Sequence, residues 1–194
     1  MDLWQLIARD HEKIAQLIRD IPYALNGSGV IRSRERLLGD LMDELEAHAV
    51  ALEAALYAPL RTREKTAGLV DALRGEHRTF MKRLGALMRF RLTGTAGWLD
   101  GFEDATFLVD QHLHRHTHEL LPQARALLSS DEIEAARHAF VRAKLKALRA
   151  QRRGAFTKLG SGEWMLTATV GAAAAGLAYL AWQRGLLRGT PARN

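Results

Sequence analysis

The side chains best suited to chemistry in this 194-residue chain are its histidines, of which there are eight, while cysteine is absent. Five of them fall where an apolar residue is expected. His11 is in phase with Ile7, Ile14 and Ile18, and His48 with Leu41, Leu45 and Leu52. His77 stands between Leu73 and Phe80 or Leu84, and His112 and His116 continue a stripe of Ala105, Val109 and Leu120. Burying an imidazole without a partner costs about 1–3 kcal/mol. Five on apolar faces therefore demand partners, and metal coordination supplies them. The step of four from His112 to His116 puts both rings on one helical face. Nitrogen and oxygen donors without sulfur suit iron, zinc or copper and do not favour magnesium or calcium. The lack of cysteine also excludes disulfides, thiolate zinc sites and cysteine catalysis. No serine–histidine–acid ordering stands out, and the glycine-containing stretches NGSG and LTGTAG read as turns.

The elements that must position these rings are helices. Apolar residues in the first 128 positions recur at steps of three and four, and no stretch alternates with the two-residue period of a half-buried strand. The periodicity predicts a first helix over about 2–20, ended by Pro22 and NGSG, and a second over about 33–57, stopped near Pro59. A third is predicted over about 64–91, and a fourth from about 98 to 121, with Pro122 marking its end or a kink. Four helices joined by short loops predict an all-α, antiparallel up-down-up-down bundle. Counted along each helix, the histidines lie within about two turns of a common level, so they can converge on one point.

Charge divides the chain. Residues 1–128 carry 17 Lys+Arg against 18 Asp+Glu, and residues 129–194 carry 11 against 4. A near-neutral body with a basic tail does not fit a nucleic-acid-binding domain, whose positive charge lines the folded surface. Residues 129–163 read as a basic helical linker, with Ile133, Ala136, Phe140, Leu145 and Leu148 at roughly helical spacing, suited either to lie on anionic headgroups or to stand in solvent. Residues 164–182, WMLTATVGAAAAGLAYLAW, hold no charge and are bounded by tryptophan. They would make about 28 Å of helix, near the hydrocarbon thickness of a bilayer. The expectation is a transmembrane helix with a short basic tail at 183–194; a fifth helix of a soluble cytoplasmic bundle is the alternative. Six basic residues in 144–163 against three after the span place the N-terminal body in the cytoplasm. Small residues four apart, Gly171 with Ala175 and Ala172 with Gly176, would let two spans approach in a homodimer.

One histidine from each helix carries a resemblance. Asp10-His11-Glu12, His48 before Leu56-Tyr57, Glu76-His77, and His112 before Leu120-Leu121-Pro122 resemble the hemerythrin-like HHE cation-binding domains over residues 1 to about 125. The resemblance implies a non-heme iron pair inside an antiparallel bundle, with a histidine and, one turn later, a carboxylate from each of the second and fourth helices. It implies roles such as reversible oxygen binding, oxygen or redox sensing, nitric-oxide and peroxide chemistry, and iron handling. The chain departs from that pattern at the carboxylates: Leu52 follows His48 by one turn, and His116 follows His112. Glu53, five residues after His48, is the candidate replacement, its other reading being a solvated side chain beside Leu52. The expected ligand set is then His11, His48, His77, His112, His116 and Glu53, holding one or two iron ions, with zinc as the alternative. Glu76 and Asp10 are placed to orient rings, and His114 and His118 point away from the stripe. The functional expectation is a membrane-tethered iron protein that binds or senses a diatomic ligand or redox state, with no catalytic step assigned. The alternative is a metal-free or zinc-binding bundle acting as a membrane-anchored interaction module.

Overall fold

A computed structural model describes residues 1–24, 30–89 and 96–151. Among them every regular element is helical and no strand occurs. Helix α1 spans Leu3–Tyr23 and opens with a reciprocal cap, in which the Gln5 amide donates to Asp2 Oδ1 at 2.8 Å and the Asp2 amide to Gln5 Oε1 at 3.1 Å. Helix α2 runs as an α-helix over Val30–Leu52, as a π-helix over Glu53–Tyr57, and as an α-helix again over Ala58–Arg61. Helix α3 is Glu64–Arg89. Helix α4 is α-helical over Ala96–Arg115, π-helical over His116–Leu120 and α-helical over Leu121–Leu127. A fifth helix, α5, begins at residue 130.

The two π turns share a cause. Each ends two residues before a proline, Pro59 in α2 and Pro122 in α4. A proline inside an α-helix has no N–H to give and clashes with the carbonyl four residues back. Widening the preceding turn relieves the clash while the helix continues, so neither proline ends its helix. The extra residue also turns the following side chains by about 100° relative to a regular α-helix.

Helix α1 packs beside α2, α2 beside α3, α3 beside α4, and α4 returns against α1. The core inside this ring is divided in two. One cluster holds Leu3, Ile7, Ala51, Leu52, Leu56, Leu73 and Leu120; the other holds Ile14, Leu41, Leu45, Phe80, Leu84, Val109 and Leu113. Along each of the first four helices a histidine falls between the two. His11 lies between Ile7 and Ile14, His48 between Leu45 and Ala51, His77 between Leu73 and Phe80, and His116 between Leu113 and Leu120. Apolar packing above and below thus fixes a polar layer at one height.

Two expectations change. The compact unit containing the bundle extends through Arg149, past the boundary expected at 128, and a second unit begins at Ala150. Residues 130–151 of the segment expected to be a basic helical linker form α5, and its Ala136 and Phe140, 6% and 1% exposed, join the same core cluster as Leu3 and Ile7. Its first turn is capped by Ser129 and Glu132, and Arg63 ties it down by donating to the Leu127 carbonyl at 2.8 Å and to Glu132 at 2.9 Å. The expected single-pass membrane localisation, with a cytoplasmic N-terminal body, is corrected. Among the described residues no helix is long and apolar enough to cross a membrane. The segment 164–182, on which both the span and the span-mediated dimer rested, lies outside the described residues.

Candidate metal centre

Three of the five histidines meet. His11 from α1, His48 from α2 and His116 from the π turn of α4 each bring a ring nitrogen within 4.8 Å of the others. Their ring centroids are 5.1, 5.6 and 5.7 Å apart. His48 and His116 are almost wholly buried, at 3% and 1% exposure.

Each ring uses one nitrogen outward and leaves the other free. His48 Nδ1 faces Asp10 Oδ2 at 3.1 Å, so it carries the proton and donates to the carboxylate. His11 Nδ1 lies 3.4 Å from Thr117 Oγ1, whose own proton goes to the Leu113 carbonyl at 3.0 Å; the hydroxyl oxygen is therefore the acceptor. His116 Nε2 lies 2.7 Å from the buried Tyr57 hydroxyl, whose oxygen can accept. What remains is Nε2 of His11, Nε2 of His48 and Nδ1 of His116, three buried nitrogens with no hydrogen-bond partner. Buried polar atoms are seldom left unpaired, and three lone pairs in one small space are a cation's ligand set.

The electrostatics keep His11, His112 and His116 neutral. Burial, aided by the neighbouring His48, pulls His11 down to about 3. Burial also pulls His112 down to about 4 against the opposing pull of Glu76, and holds His116 well below the ordinary histidine range. Neutral imidazoles are the form that binds metal. Burial alone would push the Asp10 carboxyl up, but hydrogen bonding and attraction from His48 and Lys144 more than offset this and hold it below the usual carboxylate range. Asp10 is therefore an anion suited to orient the His48 ring.

The remaining expected ligands are not among these three. His112 is buried beside them, its ring centroid 4.1 Å from that of His116, and its Nδ1 faces Glu76 Oε2 at 3.0 Å as His48 Nδ1 faces Asp10. His77 sits on the far side of His112, 6.3 Å between centroids, with Nε2 3.5 Å from Glu46. Glu53 is not brought to the cluster: its side chain is 46% exposed and forked by Arg74, with Nε at 2.9 Å from Oε2. Leu52, at the position where the resemblance calls for a carboxylate, is fully buried in the apolar core. His114 and His118 lie side by side on the exposed surface of α4, their ring centroids 4.1 Å apart and tilted by 37°.

Sequence reading missed Tyr57, Thr117, Glu44 and Lys144 as parts of this centre. Tyr57 comes nine residues after His48, on the opposite face of a regular helix; the π turn brings it inward. A proline two residues beyond an apolar stripe was the available signal for that turn.

A cation fits these residues; the iron pair of the resembled family does not. Two ferric ions need bridging anions, and among the described residues no carboxylate joins the three free nitrogens. No curated protein and no solved structure matches the chain. A family model, the hemerythrin HHE cation-binding domain, matches residues 2–124, the stretch that supplies all three clustered histidines. The chain belongs to the hemerythrin HHE cation-binding family.

Proposed function

We propose that this protein holds a single first-row transition-metal ion on His11 Nε2, His48 Nε2 and His116 Nδ1, and binds one small ligand there. The observation that carries the reading is the set of three buried, unpartnered nitrogens, each on a ring whose other nitrogen is paired with a side-chain oxygen. Three neutral donors leave the ion's charge uncancelled, which fits a divalent ion and disfavours a ferric pair. They also leave at least one coordination position open. Iron is the ion we assign, with zinc as the alternative the donor set also suits. When bound, iron would supply reversible coordination of a diatomic molecule such as oxygen or nitric oxide, the basis of a sensing role.

The chain's own residues do the rest. Asp10 and Thr117 fix the tautomers of His48 and His11, and the Tyr57 hydroxyl holds the His116 ring by its Nε2, so Nδ1 of His116 faces inward with Nε2 of the other two rings before any ion arrives. Leucines on both sides of the layer exclude water. Replacement of Asp10 would free the His48 ring.

The test is metal content and absorption of the full chain, purified in air without added metal, beside a His48→Ala/His116→Ala variant. One ion per wild-type chain and none in the variant is expected. Two irons per chain with near-ultraviolet oxo-to-iron bands would overturn the single-ion reading. Failure of wild type to take up iron, zinc or cobalt at micromolar concentration would overturn metal binding itself.

A further inference from the structure

We infer that Lys144, on the helix beyond the family's own region, is a positioning residue for the cation site: it holds Asp10 and, through Asp10, the His48 ring. The inference rests on the proposed single-ion site. The family match ends at residue 124, and α5 begins at 130. Lys144 nevertheless reaches into the bundle, where its ammonium pairs with both Asp10 Oδ1 and Glu44 Oε1. Asp10 immediately precedes His11 on α1, and Glu44 is one turn before His48 on α2. One ammonium thus ties together the two helices that bring His11 and His48 to the site.

The arrangement needs that charge. Glu44 and Asp10 are 2% and 7% exposed, and two buried carboxylates sharing a site repel and lose hydration. Lys13 pairs with the other Glu44 oxygen, but its side chain is 59% exposed. Lys144, at 16%, is the partly buried cation that meets both carboxylates. By taking Oδ1 it leaves Oδ2 aimed at His48 Nδ1, which is what turns His48 Nε2 inward. One turn earlier on the same face of α5, Phe140 presents its ring edgewise to the same imidazole, 6.3 Å between centroids. The fifth helix therefore supports His48 twice, through a charge and through an aromatic contact.

The experiment titrates the full chain with Co(II), following visible absorption, with Zn(II) competition for affinity. Lys144→Met should weaken Co(II) binding about 10–100-fold and alter the cobalt spectrum, the size seen when the partner of a ligand histidine is lost. Lys144→Arg, which keeps the charge and donors, should restore binding to within a few-fold. Lys13→Met should leave it unchanged. Phe102→Ala, in the apolar cluster ten residues before His112, should melt earlier yet keep wild-type affinity, separating positioning from stability. Should Lys144→Met fail to fold, Lys144→Met/Glu44→Gln removes the buried charges as a pair and is expected to show the same weakened binding. Wild-type affinity and spectrum in whichever Lys144→Met variant folds would overturn the inference while leaving the single-ion site standing. A wild-type chain that binds no cobalt would overturn both.

Discussion

Acidification of the metal-free protein tests the histidine layer directly. His11, His112 and His116 are held below the unfolded histidine value of about 6.5 by burial, the first two at about 3 and about 4. Below pH 6.5 the unfolded chain binds protons that the folded chain refuses. Stability is thus fully present above 6.5 and falls as the pH drops towards the folded values. For one such histidine, integration from pH 7.5 to 5.5 costs about 1.4 kcal/mol, so three cost about 4 kcal/mol. His77, lowered in the same direction, adds to this. Set against a typical net stability of about 5–15 kcal/mol, that is a large share. Urea denaturation of chelator-treated protein, followed by circular dichroism at pH 7.5, 6.5 and 5.5, measures it. Zinc added at pH 7.5 to a thousandfold above its dissociation constant should raise stability by about 4 kcal/mol. Unfolding free energies equal within about 1 kcal/mol at pH 7.5 and 5.5 would refute the reasoning, because the rings would then be solvated or already charged in the folded state.

Three further outcomes follow from the contacts. Glu53→Gln should leave metal stoichiometry unchanged and cost less than about 1 kcal/mol, since the half-exposed pair with Arg74 is a surface ion pair; metal analysis showing a lost ion would return Glu53 to the ligand set. Tyr57→Phe removes the acceptor for His116 Nε2 in a buried layer. It should cost about 1–3 kcal/mol and weaken zinc binding, and unchanged affinity by competition titration would show that His116 needs no such partner. Leu41→Ala, in the apolar cluster on one side of the layer, should cost about 2–5 kcal/mol by thermal or urea melting while the folded protein still binds one ion.

Much of the molecule was legible in the chain alone. Leucines and isoleucines at steps of three and four specify four helices and their inward faces, because burial of an apolar stripe is what stabilises a helix in a bundle. Histidines in phase with those stripes specify a polar layer, and His11, His48 and His116 were all among the candidates. Leu52 one turn after His48 already signalled that a bridging carboxylate was missing. Helix number, the height of the layer and nitrogen-dominated ligation are local and periodic properties, so sequence spacing carries them.

Other features depend on contacts between helices. Spacing puts five histidines inward, but only packing decides that ring nitrogens of His11, His48 and His116 gather within 4.8 Å while His112 faces Glu76 on α3 and His77 faces Glu46 on α2. It cannot show that Arg74 forks Glu53 away from the cluster, or that a π turn before Pro59 brings Tyr57 onto His116. Least visible of all was Lys144. In sequence it is one base among many in a positively charged run, and its role exists only because Ala136 and Phe140 dock that helix on the bundle and carry its ammonium to Asp10 and Glu44. An ion pair between residues 134 positions apart leaves no periodic trace in the chain; it arises when tertiary packing brings a partly buried cation to two buried anions.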